Sequence, residues 1–271
     1  MKVVFWCDME GTGGITNWPQ VTGGTPQYDE GRRLYTGEIN AAVRGAKRAG
    51  AREIIVVDGH GAGADFSFNS LLKDRLEPGA EYVFGHRWSC YVEPLKNDCA
   101  ALLMPGAHAM AGTGDGVLSH TISSASWHNC WVNGRLVGET VLMAAVAGSF
   151  GVPAVYASGD AALCREVKSL LGSKVATAQV KTGLGRFTAR CLAPADAQVL
   201  IEEKVFGVLS SPNKWPKPYK VKAPVELKVE LATSDKAQEF LGRKGVEVVD
   251  SRTVVSRGRN FWQVWDQFWK H

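Results

Sequence analysis

The sequence predicts an α/β fold in which a mostly parallel sheet carries helices on both faces and is followed by a smaller C-terminal α/β lobe. In the first two-thirds of the chain, short continuous apolar runs alternate with longer stretches of helical periodicity, as in sheets that are buried on both faces. A proline-rich loop at residues 210–218 interrupts this alternation. We therefore expect a main domain over residues 1–200 and a smaller lobe over residues 201–271.

The apolar runs and the helical patterns give the elements of the main domain in order. Strands are predicted at residues 2–7, 53–58, 82–84, 101–104 and 153–157. Helices are predicted at residues 29–49, 138–147 and 160–171, with a less regular helical stretch around Leu71. Asp160 opens the last of these helices, where its carboxylate can accept a backbone N–H of the first turn.

The smaller lobe begins with a strand pattern and ends in an aromatic stripe. Residues 225–231 alternate between apolar and charged side chains, which predicts a strand with one solvated face. Aromatic side chains then recur at helical spacing: Phe261, Trp262, Trp265, Phe268 and Trp269. We expect this stripe to pack on the chain's own core, and the alternative is a subunit interface, since aromatic surfaces of this size are rarely left in water.

Composition argues against several classes of function. The formal net charge is +4 over 271 residues and the basic residues are scattered, so we expect no nucleic-acid partner. The apolar run before Asp8 is too short for a signal peptide or a membrane span, so we expect no membrane partner. The six cysteines form no Cys-x-x-Cys pair, which predicts reduced thiols in a cytoplasmic protein.

The most informative segment is Asp-Met-Glu-Gly at residues 8–11, directly after the first predicted strand. Side chains two apart on a strand point to the same face, so Asp8 and Glu10 place two carboxylates on one side of the strand end. Like charges this close repel each other unless a cation lies between them. The pair therefore indicates a divalent metal site, and the alternative is two acids that begin a solvated loop.

Two further strands are followed by a histidine. His60 comes after the second predicted strand and His108 after the fourth. In open α/β sheets, ligands bind outside the carboxyl ends of the strands. We therefore expect both histidines to join the carboxylate pair in one crevice.

Five residues supply the potential metal ligands: Asp8, Glu10, His60, His108 and Glu139. Glu139 opens a predicted helix, where the helix dipole alone would also favour a carboxylate. Two imidazoles and three carboxylates suit Zn²⁺, with Mn²⁺ or Co²⁺ as alternatives. This set is enough for two ions if one carboxylate bridges them. His120, which follows a short apolar run, would then be free for proton transfer or oxyanion stabilisation.

Five short motifs follow one another along the chain: Asp-Met-Glu-Gly at 8–11, Asp-Gly-His at 58–60, Gly-Ala-His-Ala at 106–109, Gly-Val-Leu-Ser-His at 116–120 and Val-Asn-Gly-Arg-Leu-Val-Gly-Glu at 132–139. In this order and at this spacing they resemble the zinc D-aminopeptidases of the DppA type. The resemblance runs from residue 1 to about residue 200 and is weaker beyond. Any one of these motifs alone would be a weak signal, whereas the ordered set is specific.

This resemblance implies a centre of two zinc ions in each chain. Asp8 would bridge the two ions. Glu10 and His108 would complete one site, and the other site would be completed by His60 and Glu139. The resemblance thus assigns a role to every potential ligand that the strand ends supply.

The resemblance also implies chemistry and assembly. His120 matches the position of the catalytic nucleophile, although a general base or an oxyanion stabiliser is chemically as suitable. The implied reaction releases N-terminal D-amino acids from short peptides. The implied assembly is a decamer whose internal channel admits small substrates. Apart from the resemblance, His128 is the second choice for catalysis, with a packed structural role as the alternative. We expect His86 either to line a substrate pocket or to lie on the surface.

One segment departs from the family's pattern. The loop over residues 11–30 contains Trp18, Pro19 and Pro26, and we expect it to shape the pocket and so the substrate preference. It removes none of the potential ligands. It therefore bears on the substrate more than on the metal.

We therefore expect a metallo-aminopeptidase that acts on short peptides or amino-acid amides with a small N-terminal residue, of D configuration by the resemblance. One alternative is a two-metal amidase or phosphoester hydrolase; the latter would need basic residues near the metals, and Arg135 is the only one close to a motif. The other alternative is a metal-dependent binding or assembly subunit without enzymatic activity.

Overall fold

The computed structural model describes residues 1–85 and 92–269, so His86 and Cys90 lie outside the described residues. The strands of the larger sheet are β1 (Lys2–Cys7), β2 (Glu53–Asp58), β3 (Glu81–Val83), β4 (Cys99–Met104), β7 (Ala154–Asp160), β8 (Ala176–Gly185) and β9 (Thr188–Cys191). The strands of the smaller sheet are β5 (Trp127–Val132), β6 (Arg135–Leu136), β10 (Val225–Leu231), β11 (Val246–Val248) and β12 (Thr253–Gly258). The α-helices are α1 (Tyr28–Arg48), α2 (Glu139–Ser149), α3 (Ala161–Leu170), α4 (Pro194–Leu209), α5 (Ser234–Gln238) and α6 (Phe261–Phe268). None of the helices in this described part is long and apolar enough to cross a bilayer.

The larger sheet runs in the order β3-β2-β1-β4-β7-β8-β9. Its neighbours pair in parallel throughout, except that β9 runs antiparallel to β8. The predicted α/β class is therefore confirmed. Because β1 pairs with both β2 and β4, the carboxyl ends of these three strands open on the same edge of the sheet.

Alternate residues of β1 belong to two cores on opposite faces of the larger sheet. Val3 and Phe5 are buried in the core that also contains the inner sides of α1 and α4. Val4 and Trp6 are buried in the core that α2 and α3 close. Cover on both faces explains why these strands appear in the sequence as continuous apolar runs and not as an alternation.

The smaller sheet is antiparallel, in the order β11-β12-β10-β5-β6. Its strand β10 shows the predicted alternation, with every second residue buried. Two of its strands come from residues 127–136, which precede the predicted boundary at residue 200. Helix α4, which packs on the larger sheet, runs past that residue. The division into residues 1–200 and 201–271 stays a prediction.

The aromatic stripe at the C-terminus forms α6, which packs against α2, β10 and β12. Phe261, Trp265 and Phe268 are at most 2% exposed. Trp262 and Trp269 are partly buried against the same core. Packing on the chain's own core is therefore confirmed.

The helical stretch predicted around Leu71 is wrong. Oδ2 of Asp58 accepts the backbone N–H of Ser70 (2.6 Å) and of Leu71 (2.9 Å), which holds this backbone as a loop. Only a short 3-10 turn, Lys73–Arg75, follows. Leu71 is fully buried, so its apolar side chain anchors a loop and does not form one face of a helix.

Candidate metal centre

Three neighbouring strands deliver side chains to one edge of the larger sheet. Asp8 directly follows β1, His60 follows β2, and His108 lies a short loop beyond β4. This edge is where ligands bind in open α/β sheets. The convergence predicted from the strand ends is therefore present in the structure.

Two glycines allow the loops after β1 and β4 to meet closely. The Gly11 N–H donates to the Gly106 carbonyl at 2.7 Å. A Cβ at Gly11 would lie 1.9 Å from the Ala107 carbonyl oxygen, and a Cβ at Gly106 would lie 1.9 Å from the Asp8 carbonyl oxygen. Gly106 also has a φ of +75°, which side chains disfavour. The close approach of Asp8 and the His108 loop thus depends on these two glycines.

His60 presents one ring nitrogen to the carboxylate pair. Its Nε2–H donates to the Val21 carbonyl at 2.7 Å, because a carbonyl oxygen can only accept. In the neutral ring the lone pair is then on Nδ1, which lies 3.2 Å from Asp8 Oδ1 and 3.1 Å from Glu10 Oε2. A backbone partner that fixes the tautomer in this way is typical of metal-binding histidines.

His108 is also oriented by a backbone carbonyl that accepts one of its ring N–H groups. Its Nδ1–H donates to the Ala109 carbonyl at 3.0 Å. Its Nε2 lies 3.3 Å from Asp8 Oδ2 and 3.0 Å from Glu139 Oε1. The two oxygens of Asp8 therefore face two different histidines, which is the arrangement that a bridging carboxylate requires.

Glu139 and His120 form the third part of the centre. Glu139 is the first residue of α2, and its Oε1 accepts the Ile122 N–H at 2.6 Å. The Nδ1–H of His120 donates to the Leu118 carbonyl at 2.8 Å, which leaves Nε2 facing Glu139 Oε1 at 3.8 Å. His120 thus turns its free nitrogen toward the ligands and not toward the protein backbone.

The unsatisfied atoms of the centre fit a bound cation. Within residues 1–85 and 92–269, Glu10 Oε2 and His108 Nε2 are buried and make no hydrogen bond. Ligand atoms of Asp8, Glu10 and His108 lie within 4.8 Å of one another, as do those of His108, His120 and Glu139. Each unsatisfied buried group costs about 1–3 kcal/mol, which a metal bond removes. Imidazole nitrogens and carboxylate oxygens are common zinc ligands, so the donor set fits zinc.

The pKa shifts of the residues in this centre also favour a bound cation. Burial and the neighbouring carboxylate of Glu10 raise the pKa of Asp8 to about 7. Burial alone would lower the pKa of His108, but Glu139 and Asp8 outweigh it and raise that pKa. These shifts indicate an excess of carboxylate that favours added positive charge. Burial and the adjacent His108 lower the pKa of His120, which favours its neutral ring.

The structure brings together all the site residues predicted from the sequence: Asp8, Glu10, His60, His108, His120 and Glu139. Ligand atoms of Asp8, Glu10 and His108, which the resemblance places together in one site, lie within 4.8 Å of one another. The shortest pairwise contacts are distributed differently. His60 faces Asp8 and Glu10, whereas the partners of His108 are Asp8 and Glu139.

Lys181 is a supporting residue that the sequence analysis missed. It lies on β8, is 2% exposed, and its ammonium donates to three backbone carbonyls of the loop after β1: Glu10 (2.6 Å), Thr12 (2.8 Å) and Ile15 (2.7 Å). Burial lowers the pKa of Lys181 to about 8. A lysine inside a buried strand was the signal that could have identified it.

A cavity of about 400 Å³ opens beside His120, with His128 and Arg186 in its lining. Trp18 stands edge-on to His120, with ring centroids 5.5 Å apart. The loop over residues 11–30 thus supplies an aromatic side chain next to the candidate catalytic residue. Arg186 was missed because it lies on the turn between β8 and β9, far in sequence from every motif. Arg135 is engaged elsewhere and donates to the backbone carbonyls of Ser169 and Leu170 in the last turn of α3.

The whole chain, and not only the centre, is similar to known proteins. The sequence profile described as D-aminopeptidase matches residues 1–269. A D-aminopeptidase of Bacillus subtilis (strain 168) is 32% identical over 256 residues, which cover 94% of this chain and 90% of that protein. A solved structure, described as the Zn-dependent D-aminopeptidase DppA from Bacillus subtilis, a self-compartmentalizing protease, matches with a TM-score of 0.90 at 30% identity. This match covers 99% of this chain and 95% of that one. The resemblance that the motifs carry is confirmed, and this chain belongs to the D-aminopeptidase family.

Proposed function

We propose that this protein is a zinc-dependent aminopeptidase that releases an N-terminal D-amino acid from short peptides, using two zinc ions in each chain. The observation that carries the proposal is the convergence of five potential ligands beside a cavity, with buried atoms of Glu10 and His108 left without hydrogen bonds. Family membership supports the same chemistry. The D configuration follows from the relatives' description and not from a particular contact in the pocket.

We propose that the two ions share Asp8. Glu10 and His108 would complete one site, because ligand atoms of Asp8, Glu10 and His108 lie within 4.8 Å of one another. His60 and Glu139 would complete the other, as the resemblance implies. The alternative distribution follows the shortest pairwise contacts, which place His60 beside Glu10 and His108 beside Glu139. In either distribution Asp8 holds both ions.

Zinc bound at this centre would supply Lewis-acid polarisation of the scissile carbonyl. His120 would accept a proton at Nε2 from the attacking water and pass it to the leaving amine as the scissile C–N bond breaks, since its Nδ1 is committed to the Leu118 carbonyl. A neutral ring is needed for the first of these transfers, and burial favours it. Trp18 would cover one side of His120 and limit the access of water.

We propose that the chain assembles into a homo-oligomer, and a decamer is the form that the resemblance implies. The support is the description of the matched structure as a self-compartmentalizing protease together with the near-complete overlap of the two folds. Light scattering and native mass spectrometry test this. A particle of ten times the chain mass of 29.3 kDa is expected, and a monomer at micromolar concentration would contradict it.

Metal analysis followed by paired substrates tests the catalytic proposal. We expect about two equivalents of zinc per chain, and release of p-nitroaniline from D-alanine p-nitroanilide but not from the L isomer. A chelator should abolish release, and zinc should restore it. Two metals with release from neither isomer would favour the amidase or phosphoester alternatives, for which p-nitrophenyl phosphate is the probe. Metal without hydrolysis of any amide or ester would favour the non-enzymatic alternative.

A further inference from the structure

Arg186 is fixed to the loop that carries His120. It lies on the turn between β8 and β9, and its carbonyl accepts the Leu118 N–H at 2.9 Å. Its guanidinium donates from Nη2 to the Ser119 carbonyl at 3.3 Å. Both contacts are within two residues of His120, so the turn and the loop hold each other in place. Arg186 and His120 line the same cavity.

The charge of Arg186 is not neutralised by an acidic neighbour in the part of the chain that the structure describes. The guanidinium contacts the Ser119 carbonyl and lies 5.6 Å from the ring centres of Trp18 and Phe187. The cavity lining contains no Asp or Glu. Arginine has five N–H donors, and one hydrogen bond uses one of them. Arg186 therefore offers a positive charge and unused donors at a cavity that adjoins the metal centre.

The contacts of Trp18 set an upper limit on the distance between Arg186 and the candidate catalytic residue His120. The Trp18 ring lies 5.6 Å from Cζ of Arg186 and 5.5 Å from the ring centre of His120, so these two groups are no more than about 11 Å apart. An extended peptide advances about 3.3–3.6 Å per residue. A peptide bond placed beside His120 would thus bring a carboxylate one or two residues further on within reach of the guanidinium.

We propose that Arg186 binds the C-terminal carboxylate of the peptide substrate and so makes this enzyme selective for dipeptides and tripeptides. Arginine recognises carboxylates through two parallel hydrogen bonds, for which its unused donors suffice. The proposal rests on the proposed function, since it names the substrate class of the same centre. Selection of short peptides would then depend on a residue within each active site, in addition to any limit that the oligomer places on substrate size.

Matched pairs of substrates test this proposal. D-Ala-D-Ala with a free carboxylate is compared with its C-terminal amide, in the zinc-loaded wild-type protein and in the variants Arg186→Met and Arg186→Lys. Arg190→Met, which removes an exposed charge from β9, is the matched control. Because a hydrogen bond to a charged group is worth enough to change affinity about 10- to 100-fold, the wild type should prefer the free acid by that factor in kcat/KM.

Arg186→Met should remove this preference through a higher KM for the free acid, so that kcat/KM becomes equal for the acid and the amide. Arg186→Lys should restore part of it, and Arg190→Met should behave as the wild type. Equal losses on acid and amide would show that Arg186 only supports the His120 loop, and an equal rate for both in the wild type would also overturn the proposal. Absence of hydrolysis of either substrate by the wild-type protein would instead refute the proposed function.

Discussion

His108 and His120 stack face to face, with ring centres 3.9 Å apart and ring planes inclined by 10°. His108 is a potential ligand, whereas His120 turns its free nitrogen toward Glu139 from the cavity side. Each ring donates its Nδ1–H to a backbone carbonyl, so both are held in place from behind. One imidazole thus faces the carboxylates of the candidate metal centre, and the other also lines the adjoining cavity. We therefore expect substitution of His108 to affect metal binding and substitution of His120 to affect proton transfer.

Replacing His120 by Ala is expected to leave the metal content unchanged and to lower kcat by about 10²- to 10⁴-fold, the usual contribution of general acid–base catalysis. Zinc per chain is measured by mass spectrometry on the same sample as the kinetics. His128→Ala is the matched control, because His128 lines the same cavity without facing the ligands. A His120→Ala variant with normal turnover would remove this residue from the mechanism.

Replacing Asp8 by Ala is expected to abolish binding of both zinc ions, because one oxygen of Asp8 faces His60 and the other faces His108. Glu10→Gln and Glu139→Gln should each weaken the binding of one ion and leave the binding of the other unchanged. Zinc titration in competition with a chromogenic chelator measures the two affinities separately. An Asp8→Ala variant that retains two tightly bound ions would contradict the shared role.

Selective substitution of the histidines tests the proposed distribution of ligands. If His108 and Glu10 hold one ion, the double variant of these two residues should lose no more zinc than either single variant. If His60 and Glu10 share an ion instead, the double variant of His60 and Glu10 should show this non-additive loss. Additive losses of zinc for His108 and Glu10 would contradict the proposed distribution.

Four of the five potential ligands could be predicted from the sequence because each follows an apolar strand directly or after a short glycine-containing loop, whereas Glu139 opens a helix. Parallel strands that are neighbours in the sheet end at one edge, so Asp8, His60 and His108 needed no long-range information. Their division between two sites depends on side-chain direction, which spacing does not determine. The contacts of His60 with Glu10 illustrate this limit.

The residues that support the centre were not predictable in the same way. Lys181 and Arg186 reach the centre and its cavity from β8 and the turn after it, which the apolar pattern of the sequence did not reveal as a strand and a hairpin. The sequence predicts a helical stretch around Leu71. Its backbone is instead bound by the carboxylate of Asp58, a contact that only the folded chain creates.

Replacing Lys181 by Met is expected to destabilise the protein and weaken zinc binding together. Met has a similar length but cannot donate, so three buried carbonyls of the Glu10–Ile15 loop would lose their donor. With about 1–3 kcal/mol for each unsatisfied group, and partial relaxation of the loop, we expect a loss of about 2–5 kcal/mol in the free energy of unfolding. Urea unfolding and zinc titration measure the two effects, with Lys168→Met as an exposed control. Unchanged zinc affinity would show that this ammonium does not position Glu10.

Glu38 is expected to make stability depend on pH in a direction that can be checked. Burial raises the pKa of Glu38 from 4.5 to about 7, although its Oε1 accepts the Gly13 N–H at 2.8 Å. Between these values the folded state binds the proton more tightly than the unfolded state. The contribution of Glu38 to stability is therefore fully present below pH 4.5 and is lost as the pH rises through about 7.

Glu38→Gln keeps the acceptor for the Gly13 N–H and cannot ionise. The free energy of unfolding of this variant should therefore not fall at higher pH on account of residue 38. Relative to the wild type, the variant should gain up to about 3 kcal/mol in the free energy of unfolding between pH 4.5 and pH 8, by linkage of the shifted pKa to stability. Urea unfolding of both proteins across this range gives the difference, in which the titration of other groups such as Glu166 cancels. Glu30→Gln, on an exposed position of α1, is the matched control. A constant difference between Glu38→Gln and the wild type across the range would mean that Glu38 stays ionised in the folded protein, paired with the buried ammonium of Lys181.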